Sequence, residues 1–161
     1  MEQAARRRAI TGLAVGDRFT ARRTFARQES EAFGDLTRDY NPVHYDARFA
    51  GAKGYPRLIC HGLLVGGLLC EVGGQLAWLA TGMSFSFLRP VFFGDTVTCT
   101  VEIMSIDDRG RAEAQATYVN QDGIEVARSS MTGRLPASAA EKAALEAMLA
   151  ESDQTGEPPR G

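Results

Sequence analysis

Hydrophobic and polar positions alternate through most of the second half of this chain. In residues 82–89 (GMSFSFLR), Met83, Phe85 and Phe87 fall on one side and Ser84 and Ser86 on the other. Residues 96–103 (TVTCTVEI) put Val97, Cys99, Val101 and Ile103 on one face. Residues 111–120 repeat the pattern through Ala112, Ala114, Ala116 and Tyr118. A period of two is that of a strand with one buried face. Pro90, Gly94-Asp95, Asp107–Gly110 and Asp122-Gly123 punctuate the pattern. Strands are therefore predicted over 82–89, 96–103, 111–120 and 124–135. The last three are joined by tight turns, which argues an antiparallel meander. Upstream, Phe19, Thr20, Thr24 and Phe25 in residues 18–26 predict a first strand.

Between the first strand and the others the period changes. Residues 28–36 predict a short helix. Asp46 is placed to cap a helical turn through Phe49, and Gly51 to Tyr55 is a loop. Residues 62–80 (GLLVGGLLCEVGGQLAWLA) then run apolar over 19 positions, with only Glu71 and Gln75 polar. That length would reach across a bilayer. Its five glycines and its internal polar residues argue instead for a helix buried in a protein core. The glycines make sense if other backbone packs closely against them. One buried helix followed by a sheet with one apolar face has an economical solution: the sheet wraps the helix. The fold class expected is α+β. Residues 139–151 predict a further amphipathic helix, with Leu145, Met148 and Leu149 on its apolar side. Residues 1–16 are expected to be a loose lead-in and residues 152–161 disordered.

Composition leaves this picture standing. The 161 residues suffice for one domain with a sizeable core, and 44% hydrophobic with 24% charged residues is ordinary for a soluble protein. A net charge of −2 gives no general pull towards nucleic acid or membrane. Arg6-Arg7-Arg8 reads as a solvated terminus or a phosphate-binding arm. Three cysteines, Cys60, Cys70 and Cys99, with no C-x-x-C, fit neither a disulfide framework nor a zinc knuckle. They suit a reducing, cytoplasmic setting.

The chemistry concentrates in Asp39-Tyr40-Asn41-Pro42-Val43-His44. Pro42 drives Asn41 out of the helical region. The chain must turn or extend there, which can bring the Asp39 carboxylate and the His44 imidazole towards one point. Two readings stand: an acid–base pair, or an Asx-Pro turn beside a solvated histidine. The one other histidine, His61, precedes Gly62 at the start of the apolar run. A metal held by Asp39, His44, Cys60 and His61 matches no standard ligand spacing, and no cofactor is expected.

Thr37-Arg38-Asp39-Tyr40-Asn41-Pro42-Val43-His44, Phe49-Ala50, Ile59-Cys60-His61-Gly62-Leu63-Leu64, Phe87-Leu88-Arg89-Pro90-Val91 and Gly94-Asp95 occur in this order and spacing. Together they resemble the MaoC-like (R)-specific enoyl-CoA hydratases and 3-hydroxyacyl dehydratases of the hot-dog fold. The resemblance covers about residues 17–136. It implies a hot-dog domain over 17–136 between a lead-in (1–16) and a C-terminal helix and tail (137–161). It implies that Asp39 and His44 hold the water that adds to the double bond, and that the Gly62 backbone N–H polarises the thioester carbonyl. Asn41, His61, Cys70 and Arg89 are the expected further substrate-site residues. The chain departs from the family at Arg38, where Gly is common. It departs again at Cys70, placed where some members carry a supporting hydroxyl.

The expected substrate is an acyl-CoA or acyl-carrier thioester, hydrated at C3 or formed by the reverse dehydration. A hot-dog thioesterase and a non-catalytic acyl-thioester-binding subunit are the alternatives. The expected assembly is a homodimer, or a dimer of dimers or hexamer built from it, with no nucleic-acid or membrane partner.

Overall fold

The computed structural model describes residues 2–155. Five strands form one antiparallel sheet: β1 (Arg18–Thr24), β2 (Leu79–Phe87), β3 (Thr96–Ile106), β4 (Arg111–Asn120) and β5 (Glu125–Arg134). Their order is β1-β3-β4-β5-β2. All five predicted strands are present, and β3, β4 and β5 are the meander. β1 joins the free side of β3, with Ala21 opposite Cys99. β2 closes the other side, with Phe85 opposite Ser129.

The alternation does what it implied. Val97, Cys99, Val101 and Ile103 on β3 are fully buried, as are Ala112, Ala114, Ala116 and Tyr118 on β4 to within 3%. This face covers the helical segments α4 (Gly62–Gly66) and α5 (Leu68–Gln75), whose Val65, Leu68, Leu69 and Val72 complete the core.

The apolar run departs from expectation. It is not one helix over 62–80: it breaks at Gly67, and the chain has already entered β2 at Leu79. α5 ends in a Schellman turn at Ala77, with Gly73 and Gly74 inside the helix supplying the acceptor carbonyls. Trp78 N donates to Gly73 O (2.8 Å) and Ala77 N to Gly74 O (3.1 Å), with Ala77 in the left-handed region at φ 50°. Nor does backbone press on the first glycines. A Cβ at Gly62 would stand 3.0 Å from the Phe87 ring, and one at Gly66 2.9 Å from the Phe85 ring. The two rings, parallel and 6.2 Å apart, thus lie along the glycine face of α4. Among the described residues no helix is long and apolar enough to cross a membrane.

Three further helices surround this core: α1 (Glu2–Thr11), α2 (Arg27–Thr37) and α3 (Ala47–Ala52); α6 (Ala139–Thr155) ends the described chain. The expected loose lead-in is therefore mostly helix. α1 packs against α5 and α6 through buried Ala5 and Ala9. That two-alanine stripe is too faint to show as a hydrophobic pattern beside three arginines. α6 buries Leu145 and Leu149 as expected, but continues through residues 152–155. The rest of the expected disordered segment, 156–161, lies outside the described residues.

Candidate active site

The site begins with how α2 ends. Arg38 takes the left-handed conformation (φ 59°, ψ 29°), and both Arg38 N and Asp39 N (3.1 Å) donate to Gly34 O. This reverses the chain and delivers Asp39 directly after the helix. It also explains the departure noted at position 38, since a left-handed residue is where glycine is least strained. Asn41 N donates to Asp39 Oδ1 at 3.2 Å, so the Asx turn exists. It does not displace the acid–base reading, because it uses one carboxylate oxygen. Val43 N donates to Asn41 Oδ1 (3.3 Å), and Pro42–His44 form one turn of 3₁₀ helix.

His44 leaves that turn facing the strand-like segment before α4. Its Nδ1 lies 2.8 Å from Ile59 O. A carbonyl only accepts, so Nδ1 carries the hydrogen, and the neutral ring keeps its lone pair on Nε2. Burial holds the His44 pKa below the usual histidine value. The Ile59 bond and the Asp39 charge oppose that shift, and His61 adds to it. His61 stacks on His44 with ring centres 3.8 Å apart. Its Nε2 donates to Asp39 O at 2.9 Å, which leaves Nδ1 to accept from the Ser30 hydroxyl at 2.7 Å. Asp39, His44 and His61 each offer a ligand-type atom within 4.8 Å of the others.

A cleft of about 340 Å³ opens beside them, lined among others by Asn41, His44, Gly62, Phe87 and Arg89. Its wall is held by Cys60 N donating to Val91 O (2.8 Å) and by the bridge between Ile59 and Phe92. Of the residues singled out in the sequence, the structure brings Asp39, Asn41, His44, Gly62 and Arg89 to this region. His61 belongs to it from behind: it is 1% exposed and its ring nitrogens are both engaged within the protein. Cys70 is exposed on α5 and does not line the cleft. Cys60 does line it, but burial pushes its thiol up to about 12, so it is no thiolate nucleophile. Arg57 is occupied in the scaffold, stacked 4.6 Å over Phe92 and 3.7 Å from Asp95.

The chain matches the MaoC like domain over residues 13–123. It belongs to that family. It is 33% identical over 129 residues to an (R)-specific enoyl-CoA hydratase of Aeromonas caviae, spanning 77% of this chain and 96% of that protein. It is 27% identical over 139 residues to a mitochondrial 3-hydroxyacyl-[acyl-carrier-protein] dehydratase of Solanum lycopersicum, spanning 83% and 84%. Among solved structures, the (R)-hydratase of A. caviae superposes with a TM-score of 0.72, covering 78% of this chain and 98% of that one. A MaoC-like dehydratase of Rhodospirillum rubrum, 27% identical, superposes with a TM-score of 0.68, covering 78% and 94%. The sheet and its central helix are thus the hot-dog fold.

In this MaoC-like site the donor set suits a water better than a metal. With both His61 nitrogens engaged, an ion would find one Asp39 oxygen and His44 Nε2. Catalytic zinc sites use three protein ligands. Two residues that contact the site left no motif in the sequence. Ser30 and Tyr45 reach it from α2 and from the residue after His44. Tyr118 donates to Gly66 O (3.0 Å) and fixes the end of α4 to the sheet. Tyr45 had one trace: its hydroxyl occupies the place of a Cβ at Gly34, 1.8 Å from where that atom would be.

Proposed function

We propose that this chain adds water across the double bond of a 2-enoyl thioester, or runs the reverse dehydration, with Asp39 and His44 activating the water. The chain is a hydro-lyase of the MaoC-like hydratase and dehydratase type. One observation carries the residue assignment. The Asp39 carboxylate and the His44 imidazole approach within 4.8 Å beside a cleft whose other wall is the start of α4. Two hydrogen bonds of about 2.8 Å span such a gap through one water. Asp39 accepts one proton of that water, and the lone pair of neutral His44 accepts the other.

The oxygen attacks C3 as one of the two groups takes its proton. The π electrons move towards C2 and the thioester carbonyl, and C2 then receives a proton from the Asp39–His44 pair, which took one from the water. Negative charge gathers on the carbonyl oxygen. The Gly62 N–H, at a helix start and without a hydrogen bond among the described residues, is assigned to that oxygen. With Asp39 and His44 reaching the enoyl group from one side, water and proton arrive on the same face, so addition is syn, and by likeness to the family the product is the (R)-3-hydroxyacyl thioester. Arg89, exposed at the cleft and free of ion pairs among the described residues, is assigned to the phosphates of the thioester carrier. Three unpaired cysteines support a reducing, cytoplasmic setting.

We assign a homodimer through β2. The β1 edge carries Arg18, Arg22 and Arg23, charges that discourage pairing. The β2 edge (LATGMSFSF) carries none, and Leu79, Met83 and Phe87 are 71%, 39% and 51% exposed there. Light scattering should return twice the chain mass; a concentration-independent monomer would overturn this.

Incubation with crotonyl-CoA tests the reaction. Loss of the enoyl-thioester absorbance without release of free CoA, with an (R) product on chiral analysis, is expected. Release of CoA would make the protein a thioesterase, and no change in either would make it a binding module.

A further inference from the structure

We propose that the buried pair Ser30–His61 is a positioning device for the acid–base pair, one imidazole fixing Asp39 by a hydrogen bond and His44 by stacking. This rests on the reading above and adds to it the residues that hold Asp39 and His44 in register. Ser30 and His61 are each 1% exposed, so neither meets substrate. Ser30 Oγ also accepts from His61 N at 3.4 Å, so the hydroxyl grips backbone and ring of the same residue. With that hydroxyl as donor, His61 Nδ1 stays an acceptor and Nε2 carries the hydrogen. Nε2–H is then available for Asp39 O, which also accepts from Tyr45 Oη at 3.4 Å. That carbonyl sets the peptide plane after Asp39, and so the direction in which the carboxylate leaves the chain. The same ring lies 26° from parallel to His44 and leaves it the orientation in which Nδ1 meets Ile59 O. The titratable groups facing His61 among the described residues are Asp39, His44 and Tyr45. Tyr45 meets it edge-on, with ring centres 5.9 Å apart. The opposite tautomer would turn a lone pair towards the Asp39 carbonyl and cancel the bond.

The tests are kinetic and spectroscopic. Ser30→Ala should lower kcat on crotonyl-CoA by about 10- to 100-fold, the scale of a catalytic group misplaced by a fraction of an ångström to one ångström, with KM within about two-fold. Ser30→Cys, a weaker donor of similar shape, should fall between wild type and Ser30→Ala. In the unmodified protein, ¹⁵N NMR of the imidazoles should show His61 neutral with hydrogen on Nε2. Equal kcat across the three proteins, or a loss confined to KM, would overturn the positioning role. So would an Nδ1–H tautomer, which is read without any variant having to fold. A protein inactive on enoyl thioesters yet showing the Nε2–H tautomer would overturn the reaction and the role resting on it, but leave the bond standing.

Discussion

Replacing Gly62 tests the carbonyl site through the side chain that covers it. A Cβ at position 62 would stand 3.0, 3.1 and 3.1 Å from three atoms of the Phe87 ring, where ordinary contact is 3.4–4 Å. Gly62→Ala therefore displaces the ring by a few tenths of an ångström. Phe87 is the last residue of β2 and is 51% exposed within its own chain, so its own chain does not lock the ring and it can yield at that strand end. Gly62→Val adds two methyls and drives the ring further. The stability cost should stay within the ~1–3 kcal/mol of a modest overpacking. Phe87 also lines the cleft, so a displaced ring can move into the space where the thioester oxygen is assigned to the Gly62 N–H. Obstructing that donor should lower kcat by about 10²–10³-fold, the scale of a lost oxyanion contact. Steady-state kinetics on crotonyl-CoA, with circular dichroism as the control for folding, would read this. Phe87→Ala in the Gly62→Val background should restore at least about ten-fold, since the obstacle is gone. Unchanged turnover in Gly62→Val would refute the carbonyl site. A loss that Phe87→Ala leaves untouched would refute the ring as the obstacle.

Two further predictions follow from groups around the site. Burial lowers the His44 pKa beneath its usual 6.5, so the unfolded chain binds this proton more readily. The stability His44 contributes is complete above pH 6.5 and is lost as pH falls through its lowered folded value; kcat should have its acid limb in the same window, because protonation occupies Nε2. Denaturant melts and rate profiles between pH 5 and 8 check this, and an acid limb above 6.5 would contradict it. Arg38→Gly should raise stability by about 1 kcal/mol, from ~1–2 kcal/mol of left-handed strain relieved against ~0.4–1 of added unfolded-state freedom. That corresponds to about 2–4 °C in Tm, and a lower Tm would show that the Arg38 side chain stabilises the turn.

Much of this was legible from residue order. Period-two alternation locates the strands because each buries one face only, and D-x-N-P-x-H with H-G marks the residues that the fold gathers beside the cleft. The helix predicted over 62–80 is longer than the two helical segments that form. Hydropathy does not register that the chain turns left-handed at Ala77 and ends the helix, nor that Leu79 resumes as a strand. The covering of Gly62 and Gly66 by Phe87 and Phe85 joins residues some twenty positions apart, and nothing local marks it. Ser30 was invisible for a similar reason. On a helix surface it is an ordinary polar residue, and only the fold brings His61 over it. Cys70 corresponds by resemblance to a position that carries a supporting hydroxyl in some members; here it follows the break at Gly67 and is exposed.

The central claim is that Asp39 and His44 act together on one water, and the kinetics of Asp39→Asn and His44→Gln on crotonyl-CoA test it most directly. Both variants should fold as the parent does by circular dichroism, and each should lose at least ~100-fold in hydration rate. The double variant should be little worse than either single one, as groups that act as a unit are not additive. Near-normal turnover in either folded single variant would contradict the account.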